Sequence, residues 1–229
     1  MQTQTLGVNT TAYKMARYHS KTTVLQNDWD QVASAVWQRY PNPHSKHVLS
    51  EDVISRKVED NKLHSFRLLT KTNHLPKWGE RFLPSGTPRF ASVVEESVVD
   101  PVAKTFTTFT WNLNFTRIMN VREKVVYSVS PENNGWTQVH REAWVSSSMY
   151  GFIRAIQHFG VDRYKKNSEK ANLGLQLVLG RLFNKGQEVS SEQKPVEKKI
   201  LLKEKAKVAK EAAIQVAQQK AQQKQGTLM

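Results

Sequence analysis

Residues 29–49, WDQVASAVWQRYPNPHSKHVL, hold the corner around which the rest of the chain is organised. Trp29, Val32, Ala33, Val36, Trp37 and Tyr40 recur at helical spacing and make one apolar stripe. Asn27 stands where an N-cap belongs, and Asp28 and Asp30 sit in the first turn, where negative charge complements the helix dipole. Pro41 and Pro43 then stop the helix, because each lacks an N–H and restricts the residue before it. Arg39 falls on the last turn, two residues from the stripe, and reads first as a cation at a helix C-terminus.

Upstream of this corner, Tyr18 to Leu25 reads as a strand. Downstream, His47 to Val58 and Lys62 to Lys71 read as two strands joined by the polar turn Glu59-Asp60-Asn61. Leu75 to Pro84 is bracketed by prolines and carries Trp78, Phe82 and Leu83, which predicts a turn or two on a loop with exposed apolar side chains. Phe90 to Val99 and Lys104 to Leu113 form a hairpin about Asp100-Pro101, the second arm rich in Thr, Phe and Trp. In the next strand, Met119 to Val129, the residues Val121, Glu123, Val125, Tyr127 and Val129 share one face. Asn133-Asn134-Gly135 turns the chain, and Trp136 to Ser146 returns. From Met149 to Phe183 the period becomes helical, which predicts a helix of roughly 50 Å. Antiparallel strands followed by one long helix are an α+β pattern, with the helix laid across a curved sheet.

No apolar run reaches the length that crosses a bilayer. The net charge of +14 predicts attraction to something anionic: nucleic acid, an acidic membrane surface or an acidic ligand. Residues 185–229 hold ten Lys and five Glu, so +9 of that charge belongs to the rest of the chain. Val196 to Lys224 is a Lys/Ala/Gln-biased segment with no aromatic residue, which reads as a solvated helix or as disorder. With no cysteine, disulfides and thiolate metal sites are excluded. The first 27 residues contain no acid, yet they are neither Arg-rich nor clearly amphipathic and give no clear cleavable signal.

Catalytic motifs are missing. The sequence has no His-Glu-x-x-His, no Gly-rich phosphate loop before a helix and no Gly-x-Ser-x-Gly. His44 and His47 are three apart but follow a proline turn with no third ligand near, so packing or surface histidines are the plain reading and no metal is expected. The long helix says more. Phe159, Arg163, Asn167 and Lys170 fall on one face, which Phe152 and Ile156 extend upstream. An apolar stripe that turns into Arg, Asn and Lys suits no dry core. Either the stripe emerges into solvent, or its cations face a cavity that holds an anion.

Four stretches resemble the PRELI-domain family of lipid-transfer proteins of the mitochondrial intermembrane space. They are RYPNP with HVL (39–49), RLLTKTNHLPKW (67–78), TFTTFTWNL (105–113) and EAWVSSS (142–148). The likeness runs in order from about Arg17 to Asn184. It implies a START-like fold: a curved antiparallel sheet of about seven strands gripped by a long C-terminal helix, with a lipid cavity between. Residues 1–16 then read as an N-terminal extension, 17–184 as the lipid-transfer domain and 185–229 as a basic tail, helical or disordered.

The resemblance also implies the site. Carried over by motif, Arg39, His47, Lys71, Arg163, Asn167 and Lys170 match positions that bind the lipid phosphate, and Leu75, Trp78 and Phe82 match a lid that touches membrane. His74 stands where relatives often have Lys, which weakens one cation; Arg163 stands where some have Lys, which keeps the charge and adds a bidentate fork. The stretches WQRYPNP, LPKW and EAWVSSS look more like the branch that carries phosphatidic acid than the branch that carries phosphatidylserine. A small twin Cys-x9-Cys helical hairpin is the implied partner, an anionic membrane the implied surface, and neither enzyme activity nor a cofactor is implied. The rival expectation is a basic nucleic-acid-binding protein that stacks bases on a Trp- and Tyr-bearing sheet. Interspersed acids and the lack of an RNP-type motif count against it, so no nucleic-acid partner is expected.

Overall fold

A computed structural model describes residues 16–72 and 90–183. Leu75, Trp78 and Phe82, expected in the lid, and the expected tail, 185–229, lie outside the described residues. The chain runs β1 (Arg17–Leu25), α1 (Trp29–Trp37), a short 3₁₀ turn (Pro43–Ser45), β2 (Val48–Glu59), β3 (Lys62–Thr72), β4 (Phe90–Asp100), β5 (Thr105–Asn112), β6 (Asn120–Val129), β7 (Thr137–Ser146) and α2 (Ile153–Phe183).

All seven strands form one antiparallel sheet in the order β1-β7-β6-β5-β4-β3-β2. Strands β2 to β7 meander, and β7 closes on β1. β1 and β2 are therefore the two edges, and residues 26–47 carry the chain from one edge of the sheet to the other. That crossing is why so much depends on α1 and the proline turn. Asp60 and Asn61, with φ of 50° and 60°, make the tight β2–β3 turn, a conformation that Asn and Asp accept with little strain.

Burial alternates with period two on the central strands, as in Ser65, Arg67 and Leu69 on β3 and in Val139, Arg141, Ala143 and Val145 on β7. The inward side of the sheet faces α2, which is about 46 Å long. α2 packs at both ends. Gly160 meets Val145 and Met119, with Ile156 and Val161 also buried at that end, whereas Leu175, Val178 and Leu179 join the main core. That core holds Leu25, Trp29, Val32, Val36, Phe106, Tyr127 and Val139. Two glycines allow the approach. A Cβ at Gly160 would lie 2.6 Å from Val145, and one at Gly174 would lie 2.7 Å from the Asn42 amide. Between these contacts, the middle of α2 spans a cavity.

Three local expectations are corrected. α1 ends at Trp37, so Arg39 lies beyond its last turn, and Tyr40 leaves the stripe to line the cavity. Asn27 is not the N-cap: Asp28 holds that position without a side-chain cap bond. Asn27 instead donates to Gln31 Oε1 at 3.1 Å, and its carbonyl accepts the Thr137 hydroxyl at 2.8 Å, tying the corner to β7. α2 begins at Ile153 rather than Met149, because Gly151 has a φ of +81°, which no right-handed helix admits.

Candidate functional site: a charged cavity under the long helix

The cavity between the sheet and the middle of α2 encloses about 230 Å³. Arg39, His47, Lys71, Arg163 and Asn167 all line it. Lys170 is not among the lining residues, yet its charge acts on His47. Val48 pairs with Lys71, and the Thr72 N–H donates to the His47 carbonyl at 2.8 Å, so His47 and Lys71 stand at the same end of the β2–β3 pair. Burial, with Lys71, Lys170 and Arg163 around it, lowers the His47 pKa to about 4. His47 is therefore neutral near pH 7, in a field made positive by three cations. No ion pair among the described residues includes Lys71 or Lys170. Burial also lowers the pKa of Arg163.

Arg39 is placed differently from Lys71 and Lys170. Its Nη2 donates to Glu95 Oε2, and the other oxygen of Glu95 accepts Nη2 of Arg67. Arg67 is 1% exposed and also donates to Glu51 through Nη1. The result is an alternating chain, Glu51–Arg67–Glu95–Arg39, running from the edge strand into the cavity wall. Burial opposes the charge on Glu95, but Arg39 and Arg67 outweigh it and hold the carboxyl below its usual range. Arg56 and Arg67 also sit over the Trp37 ring, 4.7 and 4.6 Å from its centroid, so Trp37 helps to fix this chain as well as the core.

A second cluster lies across the floor. Tyr164 of α2 donates to Glu123 Oε1 at 2.8 Å, and Arg141 Nη1 reaches the same oxygen at 3.3 Å. Arg141 Nη2 also contacts the Tyr127 hydroxyl at 3.4 Å. Burial and the Glu123 charge raise the Tyr164 pKa, so the phenol stays protonated. The sheet register explains the layout. Arg67, Glu95, Thr110 and Glu123 are successive cross-strand neighbours, so one row of polar side chains crosses the concave face. Val93, Trp111, Ile118, Met119 and Val121 add apolar wall. The sequence reading missed Glu95, Arg67, Arg141 and Tyr164. One signal was available: Glu123 interrupts an otherwise apolar strand face, and a carboxylate there requires buried partners.

Comparison with known proteins places the chain. A model of the PRELI-like family matches residues 30–185. The chain is 54% identical over 169 residues to PRELI domain-containing protein 1, mitochondrial, of Gallus gallus, a match that covers 73% of this chain and 79% of the relative. Its human counterpart is 52% identical over 169 residues, covering 73% and 77%. Protein UPS1, mitochondrial, of Saccharomyces cerevisiae is 33% identical over 169 residues, covering 73% of this chain and 95% of the yeast protein. Among solved structures, the Zhui aromatase/cyclase from Streptomyces sp. R1128 superposes with a TM-score of 0.50 at 10% identity, over 76% of this chain and 99% of that one, a likeness of fold alone. A seven-stranded sheet closed by a long C-terminal helix in the START-like manner, with a family match over most of its length, makes this chain a member of the PRELI-like family.

Proposed function

We propose that residues 17–184 carry a phospholipid, with phosphatidic acid as the cargo, between mitochondrial membranes across the intermembrane space, in support of cardiolipin synthesis. The observation that carries this reading is the neutral His47 surrounded by Lys71, Lys170 and Arg163 at the wall of a part-apolar cavity. A phosphate monoester is small and multiply charged, so several convergent cations with Asn167 as a neutral donor recognise it. Arg39, His47, Lys71, Arg163, Asn167 and Lys170 are the proposed phosphate-binding set. At about 230 Å³ the cavity is smaller than the roughly 300–1,000 Å³ usual for ligand pockets. It therefore suits a headgroup and glycerol, and the acyl chains must run past its rim or part its walls.

Leu75, Trp78 and Phe82 are proposed to meet the bilayer as the cargo crosses, and the net charge of +14 draws the protein to anionic lipid. A small twin Cys-x9-Cys helical hairpin is the proposed stabilising partner. The mitochondrial names of the relatives support the compartment. The reading is a carrier and not an enzyme. Mass spectrometry of lipid co-purifying with the protein tests the cargo, with vesicles of phosphatidic acid, vesicles of phosphatidylserine and free glycerol 3-phosphate as parallel binding probes. Retention of phosphatidic acid above phosphatidylserine is expected. Binding of glycerol 3-phosphate alone would replace the lipid with a soluble phosphate ligand.

A further inference from the structure

A carrier has to let its cargo go. Three cations around a neutral histidine, in a partly buried cavity, would grip a phosphate strongly, because the local dielectric is low. Glu95 opposes that grip from within the wall. Its carboxylate is 3% exposed as a residue, and both oxygens are taken by arginines, one each from Arg67 and Arg39. The Glu95 bond is the only side-chain hydrogen bond that Arg39 makes among the described residues, so the other N–H donors of a cavity-lining guanidinium are left for a ligand.

We propose that Glu95 is a positioning residue of the anion site, sharing Arg39 with the bound phosphate and thereby setting how fast the phosphate is released. This rests on the reading of the cavity as a phosphatidic acid site. The carboxylate does two things at once. It fixes the plane of the Arg39 guanidinium through one oxygen, and it offsets the charge that Arg39 presents to the ligand. Arg67 divides the carboxylate between two guanidiniums, and Glu51 divides Arg67 between two carboxylates. A change at the Glu51 end therefore passes along the chain to Arg39. Without Glu51, Arg67 draws harder on Glu95, and Glu95 holds Arg39 less.

Two variants of the full chain test this. Each is loaded with phosphatidic acid from phosphatidylcholine vesicles that contain it, and its loss to vesicles of phosphatidylcholine alone is timed. Glu95→Gln keeps the shape but loses the charge, and its amide accepts from only one of the two guanidiniums. Release should slow by roughly tenfold, the weight of one charge-assisted hydrogen bond. Glu51→Gln, at a carboxylate that is 18% exposed, should slow release in the same direction by less. It decides the matter alone if Glu95→Gln does not fold. Slower release alongside a lowered Tm is what separates this role from a structural one, since damage to the wall would shed lipid faster. Wild-type protein that retains no phosphatidic acid overturns the cargo reading itself. Wild-type protein that retains it, while the folded variants release it as fast or faster, overturns the role of Glu95 alone.

Discussion

His47 is the side chain whose surroundings give the sharpest test of the cavity. Its pKa is lowered to about 4 in the folded chain and is ordinarily about 6.5, so between these values the unfolded chain binds more protons than the folded one. Stability that depends on neutral His47 is therefore present above about pH 6.5 and is lost as pH falls toward 4. Because water reaches part of the ring, about 1–2 kcal/mol is at stake. His47→Gln should flatten the pH dependence of Tm across that window, and an unchanged slope would place the proton uptake elsewhere. Reversing either Arg163 or Lys170 to Glu should abolish phosphatidic acid transfer between liposomes while the fold survives, as checked by circular dichroism beside the transfer assay. These residues were legible because they stand in quotable motifs or at helical spacing. Glu95 and Arg67 were not, because their meaning depends on cross-strand register, which joins residues 28 positions apart.

The proline turn and α2 work as one device. Asn42 donates to the Arg39 carbonyl, accepts the His44 N–H, and meets α2 where Gly174 leaves room for it. Its amide thus ties the residue that reaches Glu95 to the helix that roofs the cavity. Gly174→Val should destabilise the protein by about 1–3 kcal/mol, the usual cost of overpacking, and lower transfer as well. Chemical denaturation and the transfer assay would show both. A fall in stability with transfer intact would mean that the turn moves without consequence for the site. The sequence made these elements visible for plain reasons. Apolar alternation, prolines and the Asp60-Asn61 turn are local signals, whereas α1 ending at Trp37 and α2 starting at Ile153 depend on a corner tied to β7 and on Gly151. The cavity itself was not a local property. It exists because α2 packs at its two ends and stands off between them.

Of the net charge of +14 over the whole chain, +5 lies in residues 185–229, the segment proposed to be drawn to anionic membranes. Cutting after Lys185 removes nine lysines and five glutamates. Folding and transfer should persist, and binding to strongly acidic vesicles should weaken at low salt, where screening is least. Loss of transfer at every salt concentration would make the tail part of the carrier. The most direct test of the carrier account is transfer of phosphatidic acid between donor and acceptor liposomes, measured with the full chain and with Arg163→Glu side by side. The account predicts rapid transfer of phosphatidic acid by the wild type, little transfer of phosphatidylcholine, and none of either by the variant. Equal transfer of phosphatidic acid by wild type and variant would contradict it.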